Sequence, residues 1–247
     1  MKKKLLLLTM LAAALTGLYA QNYRDRLPPW LLKLRDAVYE QVLRAEQIYP
    51  LYANAKDMAA AELSGIEQRN ALSRCEYLMG RAYQYFSQNV KAIECYQRGL
   101  ETAEQSLSLG GSAEGWTLRS SNLSQLCTLR STAWAIAHGL DVSKFAENAL
   151  KINPRDAAAR HIVASRWVYA PAPFNDTKKG IAMMKEILSG NYALQKDDLF
   201  NVYTALAYGY AREKNDAEAR VWIGKALAIY PTNKFVKDEL PARTNFD

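Results

Sequence analysis

The chain has 247 residues, 49% of them hydrophobic and 23% charged, with a formal charge of +7 and three cysteines. An odd cysteine count in an exported chain leaves a free thiol and excludes a full disulfide framework, while the length suits one large domain or an array with a substantial buried core. The positive charge sits largely at the start: losing Lys2, Lys3 and Lys4 takes 32 basic residues to 29 against 25 acidic ones, about +4, and no basic stripe follows, so neither nucleic acid nor a membrane surface is indicated as a partner.

Residues 1–20, MKKKLLLLTMLAAALTGLYA, place a three-lysine head before an apolar run and end at a small residue. This is the layout of a cleaved signal peptide, and polar QNYRDR follows at once, so no membrane insertion is expected after cleavage. No cysteine follows the apolar run to accept a lipid, and the expected destination is the periplasm or the medium. The lysine head is of bacterial type, so the Asn122 and Asn175 glycosylation triplets carry no weight.

The remaining residues, 21–247, read as one all-α domain without a sheet. Pro28-Pro29 suits a helix start, and Val38, Val42, Ala45 and Pro50 have the spacing of a second helix closing a half unit over about 28–50. Ser64 to Glu67 fits a capping box opening the next helix. Over 73–106, Met79, Gly80 and Tyr83 precede Ala92, Tyr96 and Gly99 across a Ser87-Gln88-Asn89 turn. That second helix is expected to run on toward Gly110. Residues 106–122, rich in Ser and Gly, are expected to form a long connection. Over 123–154, Leu126, Leu129, Val142, Ala146, Ala149 and Pro154 repeat the spacing, with Arg130 and Ala133 out of pattern. His138 is expected to end a helix beside Gly139.

Over 157–189, Ala164 and Trp167 take the small and aromatic positions of a first helix, and Gly180, Met184 and Ile187 those of a second. The clearest unit is 200–233. Tyr203, Leu206, Ala207 and Tyr210 share one helical face, then Ala219, Ile223 and Ala226 line a second helix that Pro231 ends, so that ALAIYP echoes AEQIYP before Pro50. Small residues let helix backbones approach while bulky neighbours fill the space around them. Residues 234–240 are expected to form a short polar capping helix.

This recurring ruler resembles the tetratricopeptide repeat, a helix-turn-helix unit of about 34 residues. The resemblance implies a tetratricopeptide-type helical-hairpin solenoid of about ten to twelve helices, since a lone hairpin cannot bury its apolar face and must stack. It also implies a binding function on the concave surface lined by first helices. Carried over by alignment, the candidate binding residues are Arg74, Tyr77, Arg81 and Tyr85, then His161, Ser165 and Tyr169, then Asn201, Thr204, Tyr208 and Arg212.

Residues 169–180, YAPAPFNDTKKG, are the turn of the unit at 157–189 enlarged by four residues. Pro171 and Pro173 stop the first helix, and Asp176 or Thr177 can cap the second. Three uses of the turn stay open: Phe174 filling a gap between repeats, Tyr169 and Phe174 lining a ligand groove, or a contact in a homo-oligomer. Such a turn also resembles that of periplasmic repeat proteins that associate with solute-binding transport proteins.

Catalytic signals are missing. The only two histidines, His138 and His161, have no second His or Cys at metal-ligand spacing, and no phosphate loop or nucleophile motif occurs. The acidic pair Asp197-Asp198 reads as a helix N-terminus or solvated charge. The expectation is therefore an exported scaffold or adaptor, not an enzyme, without metal or cofactor, that binds a protein or peptide in its groove. The alternative is a periplasmic component of small-molecule uptake acting with a solute-binding protein.

Overall fold

The computed structural model describes residues 23–243; the expected signal peptide lies outside the described residues. Eleven α-helices run in order: α1 Pro29–Glu40, α2 Ala45–Glu62, α3 Gly65–Tyr85, α4 Asn89–Ser108, α5 Ala113–Leu129, α6 Thr132–Ile152, α7 Ala157–Tyr169, α8 Thr177–Ser189, α9 Lys196–Arg212, α10 Asp216–Ile229 and α11 Leu240–Arg243. A π-helical turn, Phe235–Glu239, joins the last two, and no strand occurs among the described residues. The all-helical reading is correct.

Local chemistry sets many boundaries. Side-chain oxygens of Ser112, Ser131, Asp156, Asp176 and Asn215 each accept a hydrogen bond from a main-chain N–H in the first turn of the helix they precede, which satisfies a donor the helix cannot. The small positions of the spacing are the points of closest approach. Ala92, Ala146, Ala149, Ala164, Ala207, Ala219 and Ala226 are fully buried. At Gly180 a Cβ would stand 2.5 Å from Val168 Cγ2 and 3.0 Å from the Val168 main-chain nitrogen, so α7 and α8 meet backbone to backbone.

Several expected boundaries are corrected. α1 ends at Glu40, and Gln41, at φ 55°, turns the chain into α2, where Pro50 lies inside the helix; the unit at 28–50 is thus split, because a left-handed residue interrupts the pattern that links Val38 to Ala45. Ser64 precedes α3 without accepting a side-chain capping bond; Gly65 adopts φ 57°, and Gln68 instead donates to the Leu63 carbonyl at 2.9 Å. The long connection at 106–122 shrinks to Leu109–Ser112, with Gly110 and Gly111 both at positive φ. Gly139 lies within α6, and His138 stacks on Trp134 at 4.1 Å instead of ending a helix. The capping segment after Lys234 is less polar than expected, since it buries Val236 and Leu240 completely. All three cysteines are free, and Cys75 and Cys95 are buried.

Consecutive helices pack as hairpins, and the odd-numbered helices also touch one another in sequence, α1 to α3, α3 to α5, α5 to α7 and α7 to α9. Close contact between alternate helices on one side only means that the stack curves with its odd-numbered helices inside. The curvature brings α9 back to α1. There Arg35, 1% exposed, donates to Asp25 at 3.0 Å, to Asp36 at 3.0 Å and to Asp197 of α9 at 3.4 Å. Tyr39 stacks on Tyr230 at 5.3 Å and meets the edge of Phe200 at 5.5 Å.

Main-chain bonds complete the seam. Arg24 N–H donates to the Leu194 carbonyl at 2.8 Å, Asn233 to the Tyr39 carbonyl at 2.6 Å, and Lys234 N–H to Gln41 Oε1 at 2.7 Å. The five inner helices therefore form a closed ring, with one apolar cluster running from Leu31 through Phe200 and Tyr230 to Leu240.

Two stability predictions follow from these contacts. Arg35→Leu leaves the carboxylates of Asp25, Asp36 and Asp197 with Lys196, 3.3 Å from Asp36, as their one remaining cation among the described residues and is expected to cost about 3–5 kcal/mol, a fall of roughly 10 °C in melting midpoint at about 2–4 °C per kcal/mol for a domain of this size. In calorimetry Gly180→Ala is expected to cost about 1–3 kcal/mol, whereas Gly224→Ala, where nothing lies within 4 Å, stabilises α10 by about 0.5–1 kcal/mol.

Candidate functional site

The ring gathers most of the candidate residues into its interior. On α3, Arg74, Tyr77, Arg81 and Tyr85 follow one another at helical spacing and so share a face. Arg81 lies at the centre. Its Nη1 donates to the Tyr77 hydroxyl at 3.3 Å, its Nε to the Tyr85 hydroxyl at 3.1 Å, and its Nη2 also reaches Tyr85. The guanidinium carbon lies 5.5 Å from the Tyr39 ring centre, 5.9 Å from Tyr77 and 4.9 Å from Tyr85, within cation–π range. Burial holds the phenols of Tyr39 and Tyr85 above their ordinary pKa, so they solvate the cation without neutralising it.

Across the ring, α7 presents His161, Ser165 and Tyr169 at successive turns. Ser165 Oγ lies 3.3 Å from His161 Nε2. Burial lowers the His161 pKa to about 4, opposed by a hydrogen bond to the Asn201 main chain and reinforced by the Arg81 charge. Tyr169 meets Tyr208 of α9 at 4.9 Å. Its phenol pKa is pushed up, first by burial and then by Tyr208, with the Arg81 charge acting against both, although 41% of the residue remains accessible to water. Asn201 donates to the Tyr39 hydroxyl at 3.1 Å, tying α9 to α1 at the same level.

Nearer the N-terminal ends of the inner helices, charges alternate. Arg74 pairs with Glu114 of α5 at 3.1 Å. Asp156 accepts from Thr117 at 2.9 Å and caps α7 through Ala159 N–H at 2.9 Å. Asp198 accepts from Gln195 N–H at 3.0 Å, and its carboxyl is held well above the usual range by burial and then by the adjacent Asp197, against the Gln195 hydrogen bond and the Arg74 charge. Asp197 and Asp198 stand in the first turn of α9, in line with the helix N-terminus of the two sequence readings, and burial of Asp197 sets aside the solvated one.

Three candidates have other roles. Thr204 is 7% exposed and donates to the Phe200 carbonyl of its own helix at 2.9 Å. Arg212 donates to the Val168 carbonyl at 2.7 Å and the Ala170 carbonyl at 3.1 Å, so it fastens the start of the enlarged turn. Phe174 is 58% exposed, which removes the reading that it fills a gap. The turn, residues 170–176, is built by Pro171, a cis Ala172–Pro173 bond and the Asp176 cap, and it is longer by four than the three-residue turn at 213–215.

The sequence reading missed Tyr39, Gln41, Glu114 and Asp156. Tyr39 and Gln41 become part of the site only because the ring closes, and no spacing within one repeat signals that. Asp156 carries a local signal, as the acidic residue that opens α7. Among the described residues, no group of three or more His, Cys, Asp or Glu side chains could hold a metal ion, and no helix is long and apolar enough to cross a membrane. No protein-family model matches the chain, and no characterised protein matches it in sequence.

The pH response has two opposing parts. His161 has a lowered pKa, so its contribution is complete above the unfolded value near 6.5 and is lost as pH falls toward 4, where the unfolded chain binds a proton that the fold refuses. Asp198 is displaced upward, so its charge costs stability at neutral pH and the cost fades as pH falls. Melting curves are expected to show His161→Asn gaining about 1–2 kcal/mol on the wild type between pH 6.5 and 4, after allowance for partial exposure. Asp198→Asn is expected to be more stable by roughly 1 kcal/mol at pH 7, with the advantage gone below 3.8.

Proposed function

We propose that this is an exported binding protein of the tetratricopeptide type, not an enzyme, and that its ligand is a small molecule held inside the ring. The observation that carries the reading is the convergence of Tyr77, Arg81, Tyr85, His161, Tyr169 and Asn201, from three inner helices, beside the Arg35 and Tyr39 seam. An extended peptide needs an open concave groove with free ends, and joining α1 to α9 removes that groove. An enclosed, largely aromatic lining with a few convergent polar groups is the usual form of a small-molecule site. In this reading the chemistry is retention, and Ser165 and His161, 3.3 Å apart, serve as polar lining of the site. In this reading the protein works outside the inner membrane in solute uptake, handing its ligand to or from a solute-binding protein.

A scaffold function on the outer surface is favoured by a different observation. The first half of α6 exposes Ile136 at 68% and Leu140 at 66%, one turn apart, and Phe174 stands exposed on the enlarged turn. Such surfaces are common at protein contacts.

Native mass spectrometry of the protein purified from its own cell envelope tests the first reading. A retained small-molecule mass that disappears when Tyr169→Ala is combined with Tyr77→Ala is the expected result. Recovery of a stoichiometric protein partner with no retained small molecule, abolished by Ile136→Asp, would instead establish the outer surface as the functional one.

A further inference from the structure

Among the described residues, two enclosed cations of the inner ring have carboxylate partners. Arg35 has Asp25, Asp36 and Asp197, and Arg74 has Glu114. Arg81 makes no ion pair among the described residues; its hydrogen-bond partners there are the Tyr77 and Tyr85 hydroxyls. A guanidinium has five N–H donors, and these three contacts leave two of them uncommitted. An enclosed cation surrounded by neutral phenols is costly, because its field falls on groups that cannot compensate it. Folds retain such a charge where a ligand supplies its partner.

We infer that Arg81 is the anchor for the carboxylate of a small organic anion bound inside the ring. This rests on the reading of the interior as a small-molecule site and adds the chemical class. One cation matches one negative charge, whereas a doubly charged phosphate would remain half neutralised. Two free donors on a planar fork suit the two oxygens of a carboxylate. The Tyr77 hydroxyl, which accepts from Arg81, keeps its own proton to donate to the same anion. The rings of Tyr169 and Tyr208, 4.9 Å apart, provide apolar faces for the organic body of the ligand. Neutral His161, held so by burial, adds no second charge.

The test compares melting midpoints of the chain in sodium benzoate, sodium butyrate, sodium phosphate and sodium chloride at matched ionic strength, for the wild type, Arg81→Gln and Arg81→Lys. The expected result is a rise of about 3 °C or more with a carboxylate over chloride in the wild type, a smaller rise in Arg81→Lys, and none in Arg81→Gln. Without ligand, Arg81→Gln is expected to melt at or above the wild-type temperature, because it removes an uncompensated charge. A drop of several degrees in Arg81→Gln with no carboxylate effect in the wild type would make Arg81 a structural cation and overturn the inference. Equal shifts in wild type and Arg81→Gln, or a shift with phosphate alone, would overturn it as well. Retention of a neutral small molecule in native mass spectrometry would leave the interior site standing while removing the carboxylate assignment.

Discussion

The architecture depends on one guanidinium. Arg35 projects from the first inner helix into a group of three carboxylates, two from its own end of the chain and one from α9. A buried arginine with three acidic partners satisfies most of its donors, and its partners in turn have few alternatives out of water. Around it the apolar contribution comes from the rings of Tyr39, Phe200 and Tyr230, packed pairwise within 5.5 Å. Without this seam the same hairpins would make an open stack, with both ends exposing inner surface to solvent. With it, the curvature already built into the hairpins is held at the value that closes the ring.

Closure changes the electrostatics of everything inside. Tyr169, His161 and Asp198 lie on helix faces that would be ordinary solvated surface in an open array, and their pKa values would stay near those of free side chains. In the ring, burial is the first cause of all three displacements. The interior is divided along its axis. The N-terminal ends of the inner helices gather acidic groups, as their exposed N–H groups favour, whereas the middle holds Arg81 among tyrosines.

Much of the packing was legible in the chain. The small residues at Ala207, Ala219, Ala226 and Gly180 marked helix approaches because a Cβ or larger group cannot occupy those points, and the same spacing picked out the inner faces of α3 and α7. What was not legible lies where information comes from far away in sequence. Glu76 is a buried carboxylate held by Tyr52, Lys56 and Arg98 from the two flanking helices, partners that no spacing along α3 announces. Pro50 looked like a helix end, but near the start of α2 it gives up only one amide of a helix that runs on to Glu62. The seam itself pairs residues some 160 to 190 positions apart, and no local period reports such a contact.

Small-angle X-ray scattering of a monomeric chain of residues 21–247 tests ring closure most directly. The closed ring predicts a radius of gyration close to about 17 Å, that of a compact chain of this size, with a symmetric distance distribution. A value well above about 20 Å with an elongated distribution would show an open array, and the interior site that depends on the seam would not exist in solution.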